Sequence, residues 1–207
     1  MGGLCEGVLL AAGSSRRHGE NNKLLADLGG QPMIRRIAAT MLASDLDQVT
    51  VILGHEADQV TTALEGLDCR HVLNPNYRQG QSASVKTGLD HLDAETASMM
   101  VVLGDMPLID PGVINALIRH HRLATDPAGS ITFPEIGGRR GNPVIWGERL
   151  FPALKGITGD QGGRPLFQTR PEALNPLPLD DQSLLLDADT DEDLAIIRRH
   201  FHEKSRN

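Results

Sequence analysis

Aromatic side chains are scarce in this 207-residue chain, which has four Phe, one Trp and one Tyr. Proteins that carry single-stranded nucleic acid stack successive bases on aromatic faces, so this composition argues against such a platform. A basic surplus is missing as well. Lys and Arg number 20 against 27 Asp and Glu, a formal charge of −7, the wrong sign for a general binder of nucleic acid or anionic membranes. Cysteine is limited to Cys5 and Cys69, too few for a disulfide framework or a metal knuckle, and both are expected as buried, reduced thiols. The start of the chain, Met1-Gly2-Gly3-Leu4-Cys5-Glu6, lacks the basic and apolar regions of a signal peptide. No apolar run approaches membrane-spanning length. The expectation is a cytoplasmic protein without nucleic-acid or membrane partners.

With 40% apolar and 23% charged residues, the chain has the make-up of an ordinary globular protein. At this length it can bury about 70% of the surface it would expose unfolded. Short apolar runs alternate with helical periodicity. Strands are expected at Gly7 to Ala12, Val49 to Leu53, Arg70 to Leu73 and Ser98 to Leu103. Helices are expected at Pro32 to Ser44, Ala57 to Leu64, Ser82 to Leu92 and, capped by Asp110, Pro111 to about Leu123. That rhythm implies βαβ units: an α/β, doubly wound, mostly parallel sheet with helices on both faces. After Gly129 the pattern changes. Ile131 to Phe133 and Pro143 to Trp146 flank a glycine-rich turn, which suggests a hairpin or a small β-rich insertion. The chain closes with an expected strand at Leu184 to Leu186 and an amphipathic helix from Asp191 to about Phe201. His120 and His121, near a helix end, are expected to meet its negative pole or solvent.

Two strand ends carry chemistry. Leu10-Ala11-Ala12-Gly13-Ser14-Ser15-Arg16-Arg17-His18-Gly19, followed by Lys23-Leu24-Leu25, sits where an open parallel sheet binds ligands. Small residues let backbone N–H groups approach a phosphate chain, and Arg17 and Lys23 supply cations. The spacing fits neither a dinucleotide fingerprint nor a P-loop, and Ser15 is not in a hydrolase elbow; a merely solvated basic turn is the alternative. Gly104-Asp105-Met106-Pro107 ends another buried strand, where an aspartate could hold Mg²⁺ against phosphate oxygens. In Asp187-Ala188-Asp189 the two carboxylates point the same way along an extended chain, so either could complete that site. Gly80-Gln81-Ser82-Ala83-Ser84 leads into a helix and offers amides and hydroxyls, or is an ordinary cap.

Taken together these segments resemble the molybdenum cofactor cytidylyltransferases of the nucleotidyltransferase superfamily. The family's L-A-A-G-x-S-x-R-x-G is Leu10 to Gly19, its K-L-L is Lys23 to Leu25, and its G-D-x-P is Gly104 to Pro107. Gly141-Asn142-Pro143-Val144, Gly159-Asp160-Gln161-Gly162-Gly163-Arg164 and Asp187 to Leu194 follow in the family's order. The resemblance covers nearly the whole chain. It implies a single nucleotidyltransferase domain over 1–207, with a nucleotide-binding part at about 1–128, an acceptor-binding part at about 129–183, and a closing strand and helix at 184–207. It also implies transfer of CMP from CTP to molybdenum-molybdopterin with release of pyrophosphate. By the same resemblance Leu10 to Ser15, Arg17 and Lys23 hold the nucleotide with Gly80, Ser82, Ser84 and Asp105. Asp105 and Asp189 bind Mg²⁺, and Asn142, Pro143, Asp160 and Arg164 face the acceptor. Ala12, where guanylyl-transferring relatives carry glycine, and Gly104 before the aspartate look like CTP rather than GTP. A transient contact with a molybdenum hydroxylase or its chaperone is a possible partnership. The alternatives are GTP, another phosphorylated acceptor, or a non-catalytic cofactor carrier.

Overall fold

The computed structural model describes residues 3–13 and 22–204. Eight strands form one sheet: β1 (Leu4–Ala11), β2 (Gln48–Leu53), β3 (Arg70–Leu73), β4 (Thr96–Leu103), β5 (Ile131–Ile136), β6 (Arg139–Arg140), β7 (Val144–Gly147) and β8 (Leu174–Leu179). The spatial order is β3-β2-β1-β4-β7-β5-β6, and β8 also pairs with β5. The first four strands run parallel. β7 then enters antiparallel between β4 and β5, so the sheet is a mostly parallel, mixed one of the expected α/β class.

Helices cover both faces because β1 and β4 are apolar on both sides. Leu9, Val51 and Met100 face one core with Ile34, Ile37 and Met41 of α1 (Met33–Leu42), Val60 of α2 (Ala57–Ala63), Ile114 and Leu117 of α4 (Pro111–Arg122) and Ile197 of α7 (Asp191–Lys204). Val8, Met99 and Val101 face the other, against Val85 of α3 (Gln81–Leu89), Leu154 of α5 (Phe151–Gly156) and Leu166 of α6 (Arg164–Thr169). Asp110 caps α4 as expected, its carboxylate accepting from Val113 N at 3.0 Å. Among the described residues no helix is long and apolar enough to cross a membrane.

Several expectations need correction. The segment expected as the closing strand, Leu184 to Leu186, is instead a 3-10 turn over Gln182–Leu185, because Asp181 accepts from Ser183 N at 2.9 Å and starts a turn there. The strand that the sequence reading missed is β8. Its Pro176 and Pro178 suppress a strand signal, yet among the described residues β8 pairs only with β5, and an edge strand tolerates proline. His121 does not face solvent or a helix pole. It is buried, with Nδ1 at 2.8 Å from Thr132 Oγ1, and burial, then the Arg122 and His120 charges, push its pKa down to about 4. His120 instead reaches Pro176 O at 3.0 Å. Both cysteines are free, but only Cys5 is buried, its thiol pushed up to about 11 mainly by that burial; Cys69 is half-buried.

Candidate active site

The site lies beyond the carboxyl ends of β1 and β4. Gly104 N donates to Leu10 O at 3.1 Å, which prolongs the β1–β4 ladder by one rung. A methyl group at Gly104 would come within 2.8 Å of that same oxygen, so only glycine lets the two strand ends approach this closely. Asp105 is thereby set beside Ala12 and Gly13. Lys23 arrives from a 3-10 turn over Lys23–Leu25, which Asn22 caps by accepting from Leu24 N at 3.1 Å and which the buried Leu24 fastens to the core. The last acidic segment is tied in through its backbone, Ala188 N donating to Asp105 O at 2.8 Å.

These ties bring Lys23 Nζ to 2.7 Å from Asp105 Oδ2 and 3.0 Å from Asp189 Oδ1. Burial would lower the Lys23 pKa, but the two carboxylates outweigh it and raise the value, so the ammonium stays charged. Asp187 sits behind the pair. Burial first, then the Asp105 and Asp189 charges, push its carboxyl up to about 6. Asp105 Oδ1 is buried and has no hydrogen-bond partner, which leaves an acceptor available in the cluster. No group of three His, Cys, Asp or Glu side chains able to close around a metal occurs among the described residues.

The cluster opens on a cleft of about 710 Å³, lined also by Leu10, Ala12, Gly13, Tyr77, Gly80, Gln81, Ser84, Asp160 and Arg164. Ala11 faces the core instead and is fully buried. Gly80 adopts φ +100°, and a side chain there would strike the backbone of Gly159. This close approach lets Gly159 O accept from both Ser82 N (3.1 Å) and Ser82 Oγ (2.7 Å), while Asp160 accepts from Gln81 N at 3.2 Å. Gly159 O and the Asp160 carboxylate thus cap the start of α3. Ser84 Oγ accepts from Asn74 Nδ2 at 3.1 Å. Ser14, Ser15 and Arg17, assigned to the nucleotide from sequence, lie outside the described residues.

A chamber of about 170 Å³ leads off the cleft, Gln81, Leu103 and Arg164 lining both. Its walls include Val85, Val144, Trp146 and Phe167, and Asn142 and Arg140 edge it. Pro143 is buried behind Asn142 and does not line it. The sequence reading named Asn142 and Arg164 but missed Arg140 and Gln81. Arg140 stood in a turn-rich stretch with nothing to single it out, and Gln81 lay unmarked between two named neighbours.

An acidic pair and a lysine gather beyond the carboxyl ends of parallel strands, where open α/β sheets bind their ligands. The chain belongs to the family described as MobA-like NTP transferase domain, which it matches over residues 7–174. It is 29% identical over 192 residues to the nicotine blue oxidoreductase of Paenarthrobacter nicotinovorans, with 91% of this chain and 93% of that one aligned. Over 111 residues it is 33% identical to a Natronomonas pharaonis protein named as a molybdenum cofactor guanylyltransferase, 54% of each chain being covered. It spans only 24–33% of the bifunctional GlmU proteins it also matches. Among solved structures, a Mycobacterium sp. strain JC1 homologue of Rv0371c superposes with a TM-score of 0.84 at 28% identity, covering 97% of this chain and 98% of that one. The manganese complex of Rv0371c from Mycobacterium tuberculosis H37Rv, at 22% identity, shares the fold with a TM-score of 0.80 over 95% and 98% of the two chains.

Proposed function

We propose that the protein transfers CMP from CTP to molybdenum-molybdopterin, forming the cytosine dinucleotide cofactor and releasing pyrophosphate. The observation that carries this reading is the Lys23–Asp105–Asp189 cluster opening on the large cleft. Mg²⁺ fits these residues. Asp105 and Asp189 already hold one cation, Lys23, and Asp105 keeps a buried, unpartnered oxygen. Two carboxylates suffice for an ion that takes its other ligands from phosphate oxygens and water. Bound there, Mg²⁺ would supply charge neutralisation for the triphosphate.

The chain's own residues then have little covalent chemistry to do. A phosphate monoester has its second pKa at about 6, so the attacking group is mostly dianionic at neutral pH and needs no general base. The backbone at Ala12 and Gly13 cradles the triphosphate, and Lys23 with Arg17 balances the charge gathering on the departing pyrophosphate. Ala12 supports the choice of CTP. It stands in Leu10-Ala11-Ala12-Gly13, which resembles the cytidylyl type, guanylyl-transferring relatives carrying glycine there. Guanylyl transfer is the runner-up, given the name of the Natronomonas relative. A cofactor carrier would have no use for the lysine–aspartate cluster.

A thermal-shift series with CTP, GTP, ATP and UTP, each with and without Mg²⁺, tests the reading. Ligand at a hundred times its Kd adds about 2.7 kcal/mol, on the order of 5–10 °C for a chain of this size. A Mg²⁺-dependent rise with CTP alone is expected. A response to GTP instead would turn the reading to guanylyl transfer, and silence with every nucleotide would reject nucleotidyl transfer.

A further inference from the structure

The side chamber carries two guanidinium groups that the phosphate chemistry above does not use. Arg140 lies on the two-residue strand β6, with Cζ 3.9 Å from the centroid of the Phe167 ring. Phe167 is itself held edge-on by Phe133 at 5.1 Å and Trp146 at 5.6 Å between centroids. The stack therefore fixes where Arg140 stands. Arg164 opens α6 and lines both the chamber and the cleft.

Among the described residues neither arginine has a carboxylate within ion-pairing distance, whereas Arg70, Arg122, Arg149 and Arg170 each have one. Burial, then the nearby Arg164 charge, lower the pKa of Arg140. Both arginines are exposed to solvent, so they are open to an anion, and one held between them would relieve their mutual repulsion. The remaining wall is apolar, from Val85, Val144, Trp146 and Leu154. Its volume of about 170 Å³ is close to what one six-membered ring occupies in a dry protein cavity.

We propose that Arg140 and Arg164 form a clamp for the phosphate monoester of the acceptor substrate, the chamber receiving an apolar part of the acceptor beside it. The assignment deepens the nucleotidyl-transfer reading and rests on it for identifying this phosphate as the acceptor's. Planar guanidinium forks suit a phosphate dianion better than point charges do, so lysine at position 140 would be a poor replacement.

The test titrates the full-length protein with phenyl phosphate, followed by ³¹P NMR, and separately with Mg²⁺ and CTP. Arg140→Met is expected to weaken phenyl phosphate about tenfold or more while leaving CTP binding as it was. Arg140→Lys should recover only part of the loss, and Arg139→Met, on the same short strand but not lining the chamber, should lose nothing. The clamp is overturned if the unaltered protein does not bind phenyl phosphate, or if Arg140→Met with Arg164→Met binds it equally well. An equal loss of CTP binding in Arg140→Met would also overturn it, since the anion would then be the triphosphate. Arginine-dependent phenyl phosphate binding without any CTP binding would leave the clamp standing and sink the nucleotidyl-transfer reading instead.

Discussion

The cleft and its side chamber solve opposite electrostatic problems. In the cleft, Lys23 stands between Asp105 and Asp189 with Asp187 behind them, so acidic charge exceeds basic charge in the described cluster and invites a further cation. In the chamber, Arg140 and Arg164 line a ligand space and have no paired carboxylate among the described residues, so positive charge is left for an anion. The supports differ too. The acidic cluster is placed by backbone bonds, Gly104 N to Leu10 O and Ala188 N to Asp105 O, at the ends of the two central strands. The chamber is placed by side chains, a stack of Arg140 on Phe167 on Trp146, carried by a hairpin and short helices. A site fixed by backbone keeps its geometry through most substitutions, while one fixed by stacked side chains can be retuned residue by residue. That division suits an enzyme whose phosphate chemistry is constant and whose acceptor is the variable.

The sharpest way to break this comparison is to remove one charge from the cleft and ask whether the chamber notices. Asp105→Asn keeps the size of the side chain and leaves Ala188 N bonded to the same main-chain oxygen. Lys23 keeps Asp189. Turnover should fall by about 10²–10³, the scale of a lost electrostatic contact at a reacting phosphate, with the melting profile little changed. Pyrophosphate release measures this, and near-normal release would refute the proposed metal role of Asp105. Phenyl phosphate binding should survive in the same variant. If it collapses with the turnover, cleft and chamber are one electrostatic unit and the division drawn above is wrong.

The cleft was far more legible in sequence than the chamber, for the same structural reason. Buried parallel strands read as continuous apolar runs, and Gly13 and Gly104 mark where they end, so Asp105 could be placed at a strand end by position, while the roles of Lys23 and Asp105 came from the family resemblance. Asp189 could not be separated from Asp187 by spacing; the bond from Ala188 N to Asp105 O, made 83 residues apart in sequence, sets which carboxylate meets Lys23. Arg140 was invisible because its meaning comes from Phe167, 27 positions on, and no local pattern links them. Ser82 was read as a nucleotide contact, but its hydroxyl is engaged by Gly159 O. β8 escaped for its prolines. His121 was misplaced because a helix-end histidine looks solvated until the strand packed over it, with Thr132, is known.

Away from both regions, His121 ties α4 to β5 through Thr132. Its folded-state pKa of about 4 lies below the ordinary 6.5, so the unfolded chain takes up the proton first. Stability from this group is complete above about pH 6.5, declines as pH falls toward 4, and is gone below that. The shift corresponds to roughly 3 kcal/mol. Urea unfolding at pH 7 and pH 4.5 should show the loss in the unaltered protein, and His121→Gln should flatten that portion of the slope. An unchanged slope in His121→Gln would place the titration elsewhere and leave the α4–β5 contact without a pH-sensitive tie.

The smallest expected effect probes the stack itself. Phe167→Leu keeps an apolar side chain on α6 but removes the ring beneath Arg140 and its edge contacts with Phe133 and Trp146. Each such aromatic contact adds about 0.5–1.5 kcal/mol beyond its buried area. Phe167 is half-buried, so the total cost should be near the lower end, about 1 kcal/mol, or about 2–4 °C in Tm. The rise in Tm caused by Mg²⁺ and CTP should keep its size, because no backbone bond of the cleft passes through Phe167. Phenyl phosphate binding should weaken although both arginines are present, since Arg140 would lose the surface that aims it. Unweakened binding in Phe167→Leu would show that charge alone makes the chamber, and that its stacked side chains contribute stability without directing the ligand.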